Sequence, residues 1–572
     1  MRTKTVIEYG AMDITAKNDA TYTTTDIQSF SSANNLKNNP AEIKYATLEK
    51  NYFALDGSFE NMPTNVGNVG YWSLTASDSN KEFTTPLTLT ISFTKNHSSI
   101  GLTLRFSQYS FCTHLKISYY DSSNALITEQ EFYPDNYEYF CEDEAVNYRK
   151  IIITFYETNE ANRYIKLYKI LYGRTVIFEG DNLISANIIE ELDPLSDELS
   201  INTLDFVCFA NDDSFNILNP QGVYLTFQKT QSLKAYRVEN DVSTDMGTFY
   251  LESWDNESEK SMHIKGIDLL GILDKVEFNG GIYEETSAVT LIETIMTKAN
   301  VSNYVIEDLT NETISGYLPI CTCREALQQV LFVLGAVADC SRSETINIYK
   351  MSEAADPHVI EKDAVIQDTK EIKQGEIVTG VSVKTHRFKL KREVETLYEE
   401  KLSQGTYKIT FDKPSANLQI EHATINEFGV NYAIITTDGS GSQSSSKYYG
   451  NRNVLLTGNT YDDLTNTLTI TDGEEHDKTN ILSIDNCTLI NGSNASDVAT
   501  RILNYYKSQY TDTFDMILDT EKAGDNVITE RSDVNELKGY ITKLDIDMTG
   551  GFIANANIVA KVSEANGWTN IW

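Results

Sequence analysis

At 572 residues the chain is long enough for three or four domains, each with its own core. Tyr 33 and Phe 23 against Pro 9 favour strands over helices. Lys plus Arg total 47 against 83 Asp plus Glu, a net charge of −36, which argues against binding nucleic acid through its phosphates.

Met1 to Gly10 (MRTKTVIEYG) lacks the apolar core of a secretory leader. The longest apolar run, Val330 to Ala338, is too short to span a bilayer. Residues 1–44 read as a strand, Met1 to Ile14, followed by an extended arm or linker, Thr21 to Pro40. Residues 45–173 alternate with period two: Leu87, Leu89, Ile91 and Phe93, then Leu102, Leu104 and Phe106, then Leu115, Ile117 and Tyr119. Ile151 to Tyr156 and Tyr164 to Tyr172 continue the pattern. Short strands separated by turns such as Asp121-Ser122-Ser123-Asn124 predict a β-sandwich.

Residues 174–348 begin with strands at Thr175 to Phe178, Ile184 to Glu191, Ser200 to Cys208, Val223 to Gln228 and Lys234 to Val238. Thr248 to Trp254 and Lys260 to Ile267 flank Asp255-Asn256-Glu257, the pattern of a hairpin. One helical turn follows in GIDLLGILDK. Leu291, Ile292, Ile295, Met296 and Ala299 recur at helical spacing after Ser287, a suitable N-cap. Thr322 and Glu325 form a capping box for a second helix, Arg324 to Leu334. Leu327, Val330, Leu331 and Leu334 give that helix one apolar face, expected to cover the preceding strands, and Gly335 fits its end. Ala336 to Asp339 and Thr345 to Tyr349 read as another hairpin.

Residues 349–572 return to strands: Ile377 to His386, Thr406 to Phe411, Ala433 to Thr437, Thr467 to Thr471, Ile481 to Ile484 and Tyr540 to Met548. A helix is expected over Asp497 to Lys507. Asp438 to Ser446 and Asp472 to Asp477 read as flexible loops.

The order of hairpin, GIDLLGILDK, helix and GYLPICTCREALQQVLFVLGAVADCSRSETINIYK resembles the tail hub proteins of phages and prophages from Gram-positive hosts. Upstream, ISANIIEELDPLSDELSINTLDF (Ile184 to Phe206) is similar to the opening strands of the same family. The likeness covers Arg174 to Lys350 best, and its weight lies in the order and length of the pieces. RYIKLYKILYG, which closes residues 45–173, resembles the last strand of galactose-binding-like (discoidin-type) jelly rolls. ATLEKNYFALDGSF with Tyr71-Trp72 is similar to a domain inserted in hub proteins. A terminal disulfide of that jelly-roll type is absent, because Cys112 and Cys141 do not sit at its ends.

The resemblance implies a mainly β, β-rich α+β chain: two tail-tube-like β-barrel hub domains (174–348 and 349–572) with a small helical layer, plus an inserted β-sandwich jelly roll (45–173). It implies a homotrimer whose six barrels meet a six-fold tail tube. The partners would be the tail tube or distal tail protein above and a spike or cell-wall-degrading tip protein below. Tape-measure protein and DNA would pass through the lumen without specific binding, and no segment would enter a membrane. The place would be the virion tail, assembled in the host bacterial cytoplasm.

The residues show no enzyme. The seven histidines are dispersed, with no HExxH, GxSxG, Walker loop or GxGxxG, so no catalytic, cofactor or metal set is assigned. Cys321-Thr322-Cys323 has no second pair nearby, and the seven scattered cysteines read as reduced, buried thiols. Tyr71, Trp72, Tyr133, Tyr137 and Tyr139 are candidate contacts for carbohydrate or a partner. They keep open an alternative, a cell-wall carbohydrate-binding adhesin or glycan hydrolase.

Overall fold

The computed structural model describes residues 3–12, 14–38, 45, 47, 49, 59, 69–209, 231–239, 242–258, 260–351, 357–440, 453–476, 478–506, 510–529 and 536–562. The strand expected over 223–228 lies outside them, as does most of ATLEKNYFALDGSF. Strands hold 59% and helices 11%, so the chain is mainly β as its aromatic composition predicts. Two compact units are formed, one by Glu8–Phe178 with Thr226–Ser232 and one by Met1–Ile7, Glu179–Leu225 and Leu233–Trp572.

In the first unit, Tyr71–Ala76, Tyr164–Leu171, Glu82–Phe106, Glu138–Thr158, Cys112–Tyr120 and Leu126–Phe132 follow one another across one sheet. The inward positions of these strands meet in one core that includes Leu89, Ile91, Leu104, Ile117, Ile153, Phe155 and Ile170. Glu82–Phe106 is long enough to serve both ends of the unit because its register breaks near His97 and Gly101. Gly101 makes this turn with φ +143, where a Cβ would sit 2.1 Å from the Cys141 carbonyl oxygen.

The extended arm expected over Thr21–Pro40 is corrected by the fold as far as Asn38, beyond which the expectation lies outside the described residues. Thr21–Thr23 adds to the sheet, with Tyr22 opposite Ile91. Ala16 of helix α1 (Ile14–Asp19), Tyr22, Ala33 and Leu36 join the core. The Asp19 carboxylate closes the junction by accepting from Thr94 N at 2.8 Å, Lys95 N at 2.9 Å and His97 Nε2 at 3.0 Å. Burial pushes its pKa up, but hydrogen bonds from Thr94, His97 and Lys95 outweigh this and hold it well below the usual carboxylate range.

In the second unit the main sheet runs Glu371–Gln374, Tyr510–Ile517, Ile553–Val562, Leu537–Asp547, Leu183–Glu191, Thr203–Phe209, Ser261–Ile267, Val242–Ser258 and Ser232–Glu239. Ile188 stands opposite both Leu204 and Ile546. Strands on both sides of the 348/349 boundary therefore share one sheet. The expected hairpin is present, with Trp254 opposite Ile264.

Among the described residues this unit holds four α-helices: α2 (Leu269–Leu273), α3 (Ala288–Lys298), α4 (Cys323–Leu334) and α5 (Ala495–Tyr505). The capping box forms as written in the sequence. Thr322 Oγ1 accepts from Glu325 N at 3.1 Å, and Glu325 Oε2 accepts from Thr322 N at 2.8 Å. Gly335 ends α4 in the left-handed region at φ 67. Arg501 of α5 donates to the Phe332 carbonyl and, at 3.2 Å, to that of Leu195, so a cation lies at the negative end of α4.

The one-sided role expected of α4 is too modest. Ala326, Leu327, Val330, Leu331, Phe332 and Val333 are all buried. They belong to one core with α2, α3, α5 and Val381 and Val383. A period-3.6 stripe gives the minimum buried face and not the number of neighbours.

Candidate interaction site

The five aromatic candidates separate by burial. Tyr71 and Trp72 are core residues, at 0% and 2% exposure, which removes both as contacts for a ligand arriving from solvent. Tyr71 stacks on Phe155, while Trp72 packs edge-on against Phe30 and Tyr45. The Lys166 ammonium lies over the Trp72 ring and pairs with the buried Glu49 carboxylate. Adjacent residues on a strand face opposite ways, so burial of both requires cover on each side.

Tyr133 is 63% exposed, and Tyr137 and Tyr139 are half-buried. Tyr133 begins a row of rings that its sequence context did not reveal. Its ring lies 4.7 Å from His114 at 15°, and His114 lies 4.7 Å from Tyr156 at 29°. His114 and Tyr156 stand on adjacent strands, and Tyr133 follows the next. Glu131 Oε2 accepts from Tyr133 Oη at 3.1 Å and lies 3.3 Å from His114 Nε2, while Glu157 lies 3.6 Å from His114 Nδ1. The outer ring is thereby fixed without being covered.

A second cluster lies inside the other unit. Arg342 Nε donates to Glu190 Oε1 at 2.9 Å, and its Nη2 donates to the Glu521 carbonyl at 2.5 Å. Lys522 Nζ reaches Asp339 Oδ2 at 2.9 Å. Asp268 caps α2, accepts from Asn202 N at 3.0 Å, and is pushed up to about 7 by burial. Each charge has a specified partner, as burial requires. The cluster ties the strand of Glu190 to the hairpin after α4 and to the loop carrying Glu521 and Lys522, which makes it a structural joint.

All seven cysteines are free thiols. Burial pushes Cys112, Cys208, Cys321 and Cys487 up to about 12, which keeps them protonated. Among the described residues no group of three or more His, Cys, Asp or Glu is placed to hold a metal, and no helix is long and apolar enough to cross a membrane.

The third feature is a ribbon. Gly380–Glu400 pairs antiparallel with Val454–Thr471, and Phe388 stands opposite Asp463. Its first end packs through Val381 and Val383 into the helical core. Its far end packs through Val454 and Leu456 into a small core with Ile409, Phe411 and Ile435. Between them Leu390, Val394 and Leu464 are exposed. Lys384 to Arg392 holds five Lys or Arg and no Asp or Glu. In so acidic a chain, that run is the sequence signal that distinguishes the ribbon, and strand periodicity does not report it.

No family model matches the sequence, and no curated protein matches it. Solved tail proteins are similar to the chain. One is from Neisseria meningitidis MC58, at TM-score 0.41 and 10% identity, covering 67% of this chain and 93% of that one. Another is the 43 kDa tail protein of prophage MuSo2 from Shewanella oneidensis, at TM-score 0.39 and 10% identity, covering 67% and 95%. A third is prophage tail protein gp18 from Listeria monocytogenes EGD-e, at TM-score 0.38 and 10% identity, covering 68% and 92%.

Proposed function

We propose that the chain is a structural, non-enzymatic hub of a phage tail or tail-like particle. Three copies form a ring that joins a six-fold tube to a three-fold tip around the channel for DNA and tape-measure protein. The observation that carries this reading is the stretch from the hairpin at Val242–Ile267 through α2, α3 and α4 to Lys350. Its elements occur in the order on which the resemblance to tail hubs rests, and its helices share one core. The acidic composition supports a lining that lets DNA slide past. Residues 174–348 and 349–572 act together in this reading, because their strands share a sheet. Partners are the tube or distal tail protein and a spike or tip protein.

The experiment is gold labelling of particles made by cells that express the tagged chain. Label at the tail tip is expected, and label on the capsid or along a sheath would sink the proposal.

A second reading is favoured by one observation, the fixed and uncovered Tyr133 ring beside Glu131. An aromatic face with a carboxylate at its edge suits a neutral pyranose, whose apolar face stacks while its hydroxyls donate. Titration with methyl pyranosides should shift the resonances of Tyr133 and His114 and lose the effect in Tyr133→Ala. Identical titrations of both proteins would discard it.

A further inference from the structure

The middle of the ribbon has few partners. The strand Ile481–Ile484 accompanies Gly380–Val383 only, and Ser415–Glu421 accompanies Leu455–Thr460 only. From Lys384 to Leu390 and from Asp462 to Thr467 the two strands have only each other as strand partners among the described residues. Residues directly opposite share a face. One face carries His386, Phe388 and Leu390, and Phe388 lies 5.1 Å from the Tyr317 ring. The opposite face carries Arg387 with Leu464 and Lys389 with Asp462, all exposed.

A two-stranded ribbon is marginal in water by itself, and an open strand edge invites pairing. Here a half-exposed Leu464 is flanked by cations on the open face. Lys391 is matched by Glu395 at 3.0 Å and Asp462 at 2.9 Å, and His386 by Asp463 at 2.8 Å. Lys384, Arg387, Lys389 and Arg392 make no ion pair among the described residues. Their positive charge is left over in a chain whose net charge is −36.

We infer that this face of the ribbon, with the outer edge of Asp462–Thr467, is the surface on which a second copy of the chain docks. The occupant is identified by charge. A second copy brings an excess of carboxylates to meet Arg387 and Lys389, while its contact removes Leu464 from water and pairs the open edge. The inference rests on the reading of the chain as an assembling subunit and names the surface that reading left unspecified.

The test uses the full chain. Sedimentation is measured over about a hundredfold range of concentration for wild type, for R387E/K389E, and for the control K95E/K538E, which changes the charge equally at other exposed lysines. Wild type and control should self-associate. The ribbon variant should raise the dissociation constant at least roughly tenfold with an unchanged melting temperature, and added salt should weaken wild-type association. A photo-reactive residue at position 464 should cross-link to the same chain. A wild type that stays monomeric, a ribbon variant that associates like wild type, or cross-links only to DNA or to another protein would overturn the inference. Ribbon-dependent association of a chain absent from tail tips would leave the inference standing and sink the hub reading, so the two failures are distinguishable.

Discussion

The core around α4 and the middle of the ribbon show two ways of using apolar residues. Leu331 is fully buried among several helices and strands, whereas Leu464 stands half-exposed on a two-stranded ribbon. Burial makes the first a determinant of folding. The second adds little to the isolated chain, and its value lies in what can cover it. The same contrast holds for charge. Arg342 and Glu190 are paired inside the fold, while Arg387 and Lys389, on its exposed surface, have no ion-pair partner among the described residues.

The comparison breaks first if the buried pair is dispensable. Arg342→Ala leaves the Glu190 carboxylate unpaired in the interior and should cost about 3–5 kcal/mol in denaturant unfolding, whereas Arg387→Ala should stay within about 0.5 kcal/mol. Leu331→Ala should cost about 2–5 kcal/mol, against about 0.5 kcal/mol or less for Leu464→Ala. Equal denaturant midpoints for the last two would erase the distinction. Thr322→Ala removes one half of the capping box and should cost about 1 kcal/mol.

The remaining prediction sharpens the comparison through a slope. Burial raises the Asp268 carboxyl to about 7 from 3.8. Its native form therefore holds a proton that the unfolded chain releases. The stability this contributes is fully present below about pH 4 and is lost as pH rises through about 7. Asp268→Asn should flatten the fall in melting temperature between about pH 4 and about pH 7, the span between the unfolded and folded values. An unchanged slope would mean that Asp268 ionises freely in the fold.

Local rules made the helical layer legible. Ser287, the Thr322/Glu325 box and Gly335 are start and stop signals within a few residues of the helices they bound, and α3 covers Ala288–Lys298 as the spacing predicts. Strand existence is also readable, because period-two alternation survives as alternating burial at Leu87–Phe93. What failed depended on distant chain. Trp72 is buried because Phe30 and Tyr45 cover the face that Tyr71 does not use. Tyr22 belongs to the core because its strand finds Ile91, nearly seventy residues on. The aromatic row of Tyr133, His114 and Tyr156 comes from three separate places in the sequence. Of the ribbon the sequence marks only Ile377–His386 and Thr467–Thr471, because its middle has no continuous buried face and the bulge after Leu390 breaks the alternation.

The most direct test of the hub account is a cryo-electron-microscopy reconstruction of intact tails containing this chain. The account predicts three copies at the distal end of the tube, ringed around an acidic channel, with the ribbon of each covered by its neighbour. Density for the chain in the capsid, in a sheath or as a peripheral fibre, or a strongly basic channel at the tip, would contradict it.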